Sequence, residues 1–404
     1  MTAEATVTTL PAGRHHGGVP WPQARATAAA AGVPLVPRRV PLAGAIGRRL
    51  VSDLVALAGL PAGDLSAMDG WAVSGPPPWR VVADLSAGSV PRHALDTGQC
   101  ARIATGASVP DGTDAVLPVE RSSVGSDGVR PAGAWPSGKR HIRRAGEEAQ
   151  PGDLLLPPGV LVTPPVAGLA ASVGHDELLV APAACVDVLV LGDELATRGL
   201  PGPGRTRDAL GPQLPAWLAA LGAEVRDPRR LPDDCAALTA ALRDSAADVV
   251  VSTGGTSVGE HDHVHAAIER AGGRLLVDGV DVKPGHPMLL ARLPRGRWLV
   301  GLPGNPLAAC VSLVTLLEPL LRTLHAEPEQ PVGRVVLSSD QPGRPGDGHR
   351  LLPVRADGAG RADVLPSCGS AMLRGLAQAT GLAVLRPSGA RTGEEVGYLA
   401  LPWS

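Results

Sequence analysis

The sequence contains no phenylalanine and only one tyrosine, so aromatic side chains can form little of its interior. Hydrophobic residues still make up 44% of the chain, and the cores must therefore be built from Leu, Val and Ala. The 51 glycines and 41 prolines punctuate apolar runs, which is typical of a loop-rich mixed fold. A length of 404 residues is too great for one core and predicts about two to four domains.

Other absences narrow the class of protein. The formal net charge is only -2, which argues against a nucleic-acid binder, since such proteins carry a strongly basic surface. The N-terminus has neither the basic nor the apolar segment of a signal peptide. No long apolar run is evident, because the best candidate, residues 154–173, is interrupted by four prolines. We therefore predict no membrane span.

Cysteines are few, and none of them forms a CxxC pair. This pattern argues against a disulfide framework and a structural zinc site, and it favours the reducing cytoplasm. The cysteines are Cys100, Cys185, Cys235, Cys310 and Cys368.

The pattern of apolar runs changes along the chain and predicts several domains. Short β-type runs separated by Gly/Pro turns fill an early segment and return at the C-terminal end. Between them, strand-like and helix-like runs alternate, which indicates an α/β domain. The predicted segments are a disordered tail (1–20), a discontinuous mixed domain (21–50 and 146–180), an inserted β-rich domain (51–145), an α/β domain (181–327) and a C-terminal β domain (328–404).

The α/β segment predicts a parallel sheet covered by helices. Asp233 is a plausible N-cap for a helix that begins at residue 234. The predicted strands are 185–191, 248–252, 274–277, 287–291 and 297–300. The predicted helices are 21–31, 209–222, 234–247, 263–271 and a long apolar helix from 307.

Four polar loops of this segment lie next to strands, at 192–195, 253–262, 282–287 and 301–306. Loops that leave the carboxyl ends of parallel strands line the ligand crevice of an open α/β sheet. We therefore expect these loops to meet and to place acids beside anion-binding backbone.

The loop "TGGTSVGEHD" at 253–262 combines glycines, hydroxyls and acids. Gly254 and Gly255 allow a tight turn that brings N–H groups close to an anionic ligand, and Thr256 and Ser257 add hydroxyl donors. The acids would repel phosphate directly, but they suit a hard divalent cation such as Mg²⁺ held between acid and phosphate. From spacing alone, an ordinary tight turn with solvated acids is an equally good interpretation.

Lys283 is one of only two lysines in a chain with 35 arginines, and a compact point charge is one reason to retain a lysine. In "GLPGNP", Asn305 and Pro306 suit the N-cap and first position of a helix, whose N-terminus also favours anions. Each of these signals is weak by itself.

Seven motifs in order resemble the molybdopterin molybdenumtransferase family, the molybdenum-insertion enzymes related to the C-terminal part of gephyrin. The resemblance covers residues 20–404. The motifs are "LSAMDGWAV" (65–73), "ARIATGASVPDGTDAVLPVE" (101–120), "IRRAGEEAQPGDLLLPPG" (142–159), "LGDEL" (191–195), "STGGTSVGEHD" (252–262), "VKPGHP" (282–287) and "GLPGNP" (301–306).

The resemblance implies an elongated, four-domain homodimer with a central molybdopterin-binding α/β domain, whose crevice is completed by the partner's β domain. It also implies insertion of molybdenum from molybdate into adenylylated molybdopterin, with release of AMP and the assistance of Mg²⁺. Carried over by position, it assigns catalysis to Glu194, Asp262, Lys283 and Asp69, and Mg²⁺ binding to Glu194 and Asp262. It assigns substrate contacts to Thr105, Gly254, Gly255, Thr256, Ser257, His286, Pro303, Asn305, Arg355 and Ser370.

The chain departs from the family pattern at several positions that carry polar side chains in the family. They include Leu65, Leu191, Ala209, Leu210 and His286, which stands where a second lysine is usual. A degenerate, non-catalytic paralogue that binds pterin or acts as a scaffold is therefore an alternative. Adenylylation of molybdopterin is a third interpretation, and the additional N-terminal and β-rich regions argue against it.

Overall fold

A computed structural model of the chain describes residues 18–133, 140–255, 263–343, 346 and 348–403. These residues form two compact units, one of residues 37–180 and the other of residues 18–36 together with 181–403. Each unit has its own buried apolar clusters.

The unit of residues 37–180 contains a four-stranded sheet whose central strand, Gly70–Val73, is buried at every position. Trp79 and Leu117 are fully buried beside this strand and supply much of the core volume that phenylalanine would otherwise fill. The strands, in sheet order, are Arg80–Leu85, Gln99–Ile103, Gly70–Val73 and Ala115–Pro118.

The remainder of this unit consists of two-stranded ladders and short helices. Helix Pro164–Ser172 has prolines at its start, where their missing N–H groups cost nothing, and it buries Ala167 and Ala170. The ladders are Arg38–Pro41 with Glu177–Val180, Leu54–Val55 with Leu154–Leu156, Leu65–Ser66 with Ile142–Arg143, and Ser122–Gly125 with Gly128–Pro131. The other helical turns are Leu42–Ala45 and Val119–Arg121.

The second unit is built around a mixed α/β sheet. Strands Cys185–Leu191, Val249–Thr253 and Trp298–Leu302 are parallel neighbours, as predicted. Leu289–Arg292 runs antiparallel to Trp298–Leu302, so the expected all-parallel sheet is wrong at this strand. The connection at 293–297 is too short for a crossover, which needs about a dozen residues, and it makes a hairpin. The remaining strands are Glu224–Val225, Arg229–Leu231 and Arg274–Asp278, and a separate ladder pairs Leu195–Ala196 with Thr206–Arg207.

The helices of this unit follow the predicted order with two differences. The helix expected from 209 begins only at Leu214, because the buried Asp208 carboxylate accepts the N–H groups of Leu210 and Gly211 and holds a turn there. The N-cap at the next helix is Asp234, not Asp233, and its carboxylate accepts the N–H of Ala237 at 2.7 Å. The helices are Trp21–Ala31, Leu214–Ala220, Cys235–Asp244, His263–Arg270 and Pro306–Ser312, which continues through Leu313–Leu317 to Glu318–Leu324.

Among the described residues, the helical stretch Pro306–Leu324 is long and apolar enough to cross a membrane by length and composition. It is therefore a better candidate than residues 154–173. Within this structure it is a core helix, since 89% of its most apolar window is buried. Its π-helical turn is stabilised by the Arg25 guanidinium, which donates to the carbonyl of Val314, and by the Trp21 indole, which donates to Thr315 Oγ1 at 3.0 Å.

The C-terminal part of this unit is a small closed sheet, because strand His349–Ala356 pairs with both Arg361–Val364 and Gly381–Leu385, and those two strands are linked to each other through two further strands. It also pairs with Val280–Lys283, a strand that the sequence prediction missed and treated as a connection. The other strands are Val19–Pro20, Gly333–Leu337 and Glu395–Ala400, the ladder Gln341–Pro342 with Gly389–Ala390 lies beside them, and helical turns occur at Pro294–Gly296 and Leu376–Gln378.

The first helix of the described residues belongs to this second unit by its contacts. Trp21–Ala31 packs against Glu318–Leu324, and Thr323 Oγ1 donates to the carbonyl of Ala29 at 2.8 Å. The sequence prediction instead groups residues 21–50 with 146–180. These domain boundaries remain a prediction.

Candidate active site

The strand ends that carry the four polar loops lie at one edge of the α/β sheet. In the strand register, Val190 lies opposite Thr253, Thr253 opposite Leu302, and Gly301 opposite Leu289. The loops that follow Leu191, Thr253 and Leu302 therefore leave the sheet side by side. The loop before Leu289 joins them because its strand runs in the opposite direction. The strand ends that carry these loops are neighbours, as predicted, and the convergence of the loops themselves stays a prediction where it involves residues 256–262.

Gly254 and Gly255 make a turn that other residues would strain. Their φ angles are +84° and +65°, in the left-handed region that favours glycine. The Gly254 N–H donates to the carbonyl of Leu302 at 2.9 Å, which ties this loop to the next one. A Cβ on Gly255 would lie 3.1 Å from Cγ2 of Val264. A side chain at Gly255 would therefore be strained and would crowd Val264.

The rest of this loop lies outside the described residues. That segment, 256–262, includes the predicted site residues Thr256, Ser257 and Asp262. Helix His263–Arg270 begins directly after it. The roles assigned to these three residues remain predictions.

An acidic cleft of ≈ 470 Å³ lies beside the loop at 192–195. Asp193, Asp233 and Asp234 line it together with apolar residues, and the Asp193 N–H donates to Asp233 Oδ2 at 3.1 Å. Glu194 follows in the same loop and is exposed, while its carbonyl accepts the N–H of Thr206 at 3.0 Å. The apolar and remaining lining residues are Leu191, Leu238, Gly255 and His263.

The sequence prediction assigned Asp233 only a helix cap and gave Asp234 no role. Both follow strand Arg229–Leu231, which is parallel to Cys185–Leu191. The rule that placed the other loops at the carboxyl edge would therefore have found these two aspartates. The signal was missed because that strand is short and carries two arginines.

The carboxylates beside this cleft differ from the buried carboxylates of the same unit, which form ion pairs with arginines. None of Asp193, Glu194, Asp233 and Asp234 forms an ion pair with another residue in the described part of the chain. Their negative charges add up beside a cleft, and oxygen ligands of this kind suit a hard divalent cation. Within the described ranges, no three His, Cys, Asp or Glu side chains are close enough to hold a metal by themselves, and the predicted ligand Asp262 lies outside those ranges.

Lys283 and His286 lie on either side of Pro284 and Gly285 in the fourth loop. Lys283 is exposed at the end of its strand, opposite Arg350. His286 is tied to Val280 twice: its Nδ1 donates to the Val280 carbonyl at 2.8 Å, and its own carbonyl accepts the Val280 N–H at 2.9 Å. Only Nε2 of the His286 ring is left for a ligand or a neighbouring acid.

The structure brings Asn305 and Ser370 together. Asn305 occupies the predicted N-cap position, but its side chain does not cap the helix and instead donates from Nδ2 to Ser370 Oγ at 3.3 Å. The carbonyl of Ser370 accepts the N–H groups of Leu307 and Ala308 at 2.9 and 3.2 Å. The C-terminal loop therefore supplies the cap that Asn305 was expected to supply. Pro303 is buried in the turn just before.

Arg355 is not brought to Ser370 by any contact of the described residues. Its Nη2 donates to Gln378 Oε1 at 3.0 Å. Its predicted contact with a substrate remains a prediction.

Asp69 and Thr105 form a pair in the unit of residues 37–180. The Thr105 N–H and Oγ1 both donate to Asp69 Oδ1, at 2.6 and 2.8 Å. These bonds, the backbone one first, hold the pKa of Asp69 below its usual value, so the carboxylate is ionised at neutral pH. The two motifs that carry these residues are thus joined by a direct contact.

Comparison with known proteins identifies the family of the chain. Residues 19–174 match the family model of the MoeA N-terminal region (domain I and II), and residues 187–323 match that of a probable molybdopterin binding domain. Molybdopterin molybdenumtransferase 2 of Mycobacterium tuberculosis is 39% identical over 311 residues, covering 72% of this chain and 76% of that protein. The chain belongs to the molybdopterin molybdenumtransferase family.

Further relatives extend the match along the chain. The molybdopterin molybdenumtransferase of Synechococcus elongatus is 34% identical over 374 residues, covering 88% of this chain and 92% of that protein. A crystal structure of the molybdopterin biosynthesis moea protein from Pyrococcus horikosii has a TM-score of 0.76 at 25% identity, covering 95% of this chain and 99% of that one. The predicted family, transferase activity and role in molybdenum cofactor biosynthesis are confirmed, as is a multidomain mixed fold with a molybdopterin-binding domain.

Two departures from the family pattern are buried apolar residues in this structure. Leu191 ends a strand and forms an apolar wall of the acidic cleft. Leu210 is 5% exposed and lies in the turn held by Asp208, whose carboxylate also contacts the Arg230 guanidinium. Both leucines therefore contribute to packing where the family carries polar groups.

Proposed function

We propose that this chain inserts molybdenum from molybdate into adenylylated molybdopterin and releases AMP. The observation that carries the proposal is that the strand ends bearing the four loops lie side by side at one sheet edge, near carboxylates without a described ion-pair partner. An adenylylated, phosphate-bearing substrate needs backbone donors and cations, and the predicted loops combine both with acids.

The backbone of Gly254 and Gly255 is suited to approach a phosphate or molybdate oxygen, since neither residue has a side chain that blocks it. Thr256 and Ser257 would add hydroxyl donors from the following segment. Lys283 would supply a compact positive charge from the neighbouring loop. Together these groups would bind and orient the oxyanions.

Glu194 and Asp262 are the proposed ligands of Mg²⁺. The donor set fits this ion, because carboxylate oxygens are the hard ligands it prefers and Glu194 is exposed with no arginine paired to it among the described residues. When bound, Mg²⁺ would neutralise negative charge between the carboxylates and the phosphate. Asp193, Asp233 and Asp234 would add to the negative potential that attracts the cation.

We also propose that the protein is a cytoplasmic homodimer. All five cysteines are free, which suits a reducing compartment. Asp69 and Thr105 are paired and exposed, and their motifs match ones that act across a subunit boundary in the family. Sedimentation at micromolar concentration should show a dimer, and a species of monomer mass alone would contradict this part of the proposal.

The reaction is tested by incubating purified protein with adenylylated molybdopterin, molybdate and Mg²⁺ and measuring AMP and mature cofactor. We expect AMP to appear in equal amount to the mature cofactor and only when molybdate and Mg²⁺ are present. Binding of the pterin without AMP release under all conditions would contradict catalysis and support a pterin-binding scaffold.

A further inference from the structure

Four exposed arginines lie at the edge of the α/β sheet where its parallel strands begin, away from the acidic cleft. In the strand register, the third of them lies opposite Trp298, the first residue of its strand. One arginine ends a helix, one begins a strand, one ends the neighbouring strand, and one lies in the hairpin after it. We call them the arginine patch: Arg270, Arg274, Arg292 and Arg295.

Contacts between the hairpin and the ends of two helices hold this edge together. A Cβ on Gly272, in the turn after helix His263–Arg270, would lie 3.4 Å from Cγ of Pro294 in the hairpin. On the other side, Arg297 Nη1 donates to the carbonyls of Leu242 and Ser245, at 2.8 and 2.6 Å. The patch therefore stands on packed elements of one unit.

The guanidinium groups of the patch form no hydrogen bond or ion pair with another residue in the part of the chain that the structure describes. That of Arg292 lies over the Trp298 ring, 5.7 Å from its centroid. Two exposed acids, Asp244 and Glu269, precede the patch, and neither pairs with an arginine among the described residues. The Asp248 carboxylate is engaged by the backbone N–H of residue 185 at 2.8 Å. The positive charges therefore add up at this edge.

Two features of the patch cost the folded state stability. Arg274 stands directly opposite Arg292 in an antiparallel pair, where like charges are destabilising. Arg295 has a φ of +65°, in the left-handed region that favours glycine. A neutral residue at 274 and a glycine at 295 would remove both costs, so packing explains neither arginine. An arrangement that is costly for folding and leaves its charge exposed indicates a binding surface.

The surroundings of the patch favour carboxylates of a protein as its ligand. Guanidinium groups bind carboxylates through two parallel hydrogen bonds. Single-stranded nucleic acids stack on exposed aromatic rings, whereas Trp298 is only 5% exposed, and the net charge of the chain is -2. Membrane surfaces take up exposed apolar side chains, and no large hydrophobic side chain within the described residues 263–300 is exposed.

We propose that the arginine patch docks an acidic segment of a partner protein. A second copy of the chain is a poorer occupant, because the unpaired acids of this unit line the cleft at the other edge and docking them would close it. A partner held at the patch leaves the loops at 192–195 and 301–306 open to substrate. This inference goes beyond the proposed function and holds whether or not the chain releases AMP.

The first test measures the affinity of the full chain for a fluorescein-labelled peptide of about ten glutamates by fluorescence anisotropy. The test variant is Arg274→Glu/Arg295→Glu, which reverses two charges of the patch. We expect it to bind the peptide at least about 10-fold more weakly than wild type, and wild-type binding to weaken as salt is added. Its melting temperature should not fall, since a glutamate at position 274 faces Arg292 with opposite charge.

Arg80→Glu/Arg361→Glu is the matched control, because it makes the same change in net charge at two exposed arginines outside the patch. It should bind the peptide as wild type does. Equal affinity in wild type and the test variant, or an equal loss in the control, would overturn the proposal.

Other probes distinguish the class of partner. Single-stranded oligothymidylate of the same charge and vesicles of phosphatidylcholine and phosphatidylserine should bind wild type more weakly than the peptide does. Sedimentation at low salt should show no association that the test variant loses. Tighter binding of either probe through the patch, or self-association that depends on it, would overturn the assignment to an acidic protein segment.

Hydrogen exchange locates the contact. The backbone amides of the hairpin at 293–297 should exchange more slowly when the glutamate peptide is bound, and those of the loop at 192–195 should not change. Protection of the loop at 192–195 without protection of the hairpin would place the peptide elsewhere and overturn the proposal.

Discussion

Carboxylates occur in two settings within the unit that holds the α/β sheet. Asp187, Asp208 and Glu318 are buried, and each contacts an arginine: Arg226 at 3.3 Å, Arg230, and Arg322 at 3.2 Å. Asp193, Glu194, Asp233 and Asp234 lie at the carboxyl edge of the sheet without such a partner among the described residues. Burying a charge is costly unless it is paired, and the arginines offset that cost for the first group.

The second group can remain unpaired because its members are exposed or line an open cleft. Their mutual repulsion is reduced by water. The comparison teaches that an arginine compensates the carboxylate at a structural site, whereas the acids we propose for cation binding have no such partner among the described residues.

The largest effect is expected at the two proposed Mg²⁺ ligands. Glu194→Gln or Asp262→Asn should slow AMP release by at least ~10²-fold, or about 2.7 kcal/mol of barrier, because each removes a charge while preserving shape. Melting temperatures should stay close to wild type, since relief of repulsion offsets lost hydrogen bonds. The rate is measured under single-turnover conditions, and near-normal AMP release from both variants would contradict the catalytic assignment.

The paired acids should behave in the opposite way. Asp208→Asn removes the charge opposite Arg230, and we expect the free energy of unfolding to fall by about 2 kcal/mol, less than for a fully buried pair because Arg230 is 38% exposed on its side chain. Asp193→Asn is the matched control and should leave stability unchanged or slightly higher. Denaturant unfolding of both variants measures this, and equal destabilisation would remove the distinction between the two groups.

A smaller effect is expected from two aspartate–threonine pairs that share one geometry. Asp69 accepts two hydrogen bonds from Thr105, and Asp340 accepts two from Thr392. Asp69→Asn should lower kcat/KM roughly 10-fold, because its motif matches one used across the subunit boundary. Asp340→Asn should leave kcat/KM unchanged. Equal effects would mean that the motif at Asp69 is structural.

The smallest effect concerns His349, in the unit that holds the α/β sheet. Burial, and next the charge of Arg386, lowers the pKa of His349, whose ring lies 5.5 Å from that of Trp21. The folded state therefore favours the neutral ring. The stability that the neutral His349 ring contributes is fully present above the pKa of histidine in the unfolded chain, about 6.5. It falls as the pH drops below that value. His349→Gln should flatten this fall in unfolding free energy between about pH 7 and pH 5, and an unchanged slope would contradict it.

Local chemistry explains why much of the site edge could be predicted. The buried valines of Val249–Thr253 and the left-handed glycines that follow are neighbours in sequence, so one short stretch specifies strand and turn together. The same holds for the proline that begins helix Pro306–Ser312. Such features require no knowledge of distant residues.

Contacts between distant residues explain what could not be predicted. Nothing near Leu307 indicates that its N–H group is capped by the carbonyl of Ser370. An apolar run such as Leu289–Arg292 has the same pattern whether the strand runs parallel or antiparallel. The hydrogen bond between His265 and Asp278 depends on how a helix packs against a strand.

Direct binding of a divalent cation tests the central claim, that the unpaired acids of the sheet edge hold Mg²⁺. Mn²⁺ can replace Mg²⁺ and be followed by electron paramagnetic resonance in wild type, Glu194→Gln and the control Asp340→Asn. We expect wild type and the control to bind one ion with equal affinity, and Glu194→Gln to bind at least about 10-fold more weakly, or about 1.4 kcal/mol. Equal affinity in all three proteins would contradict the account.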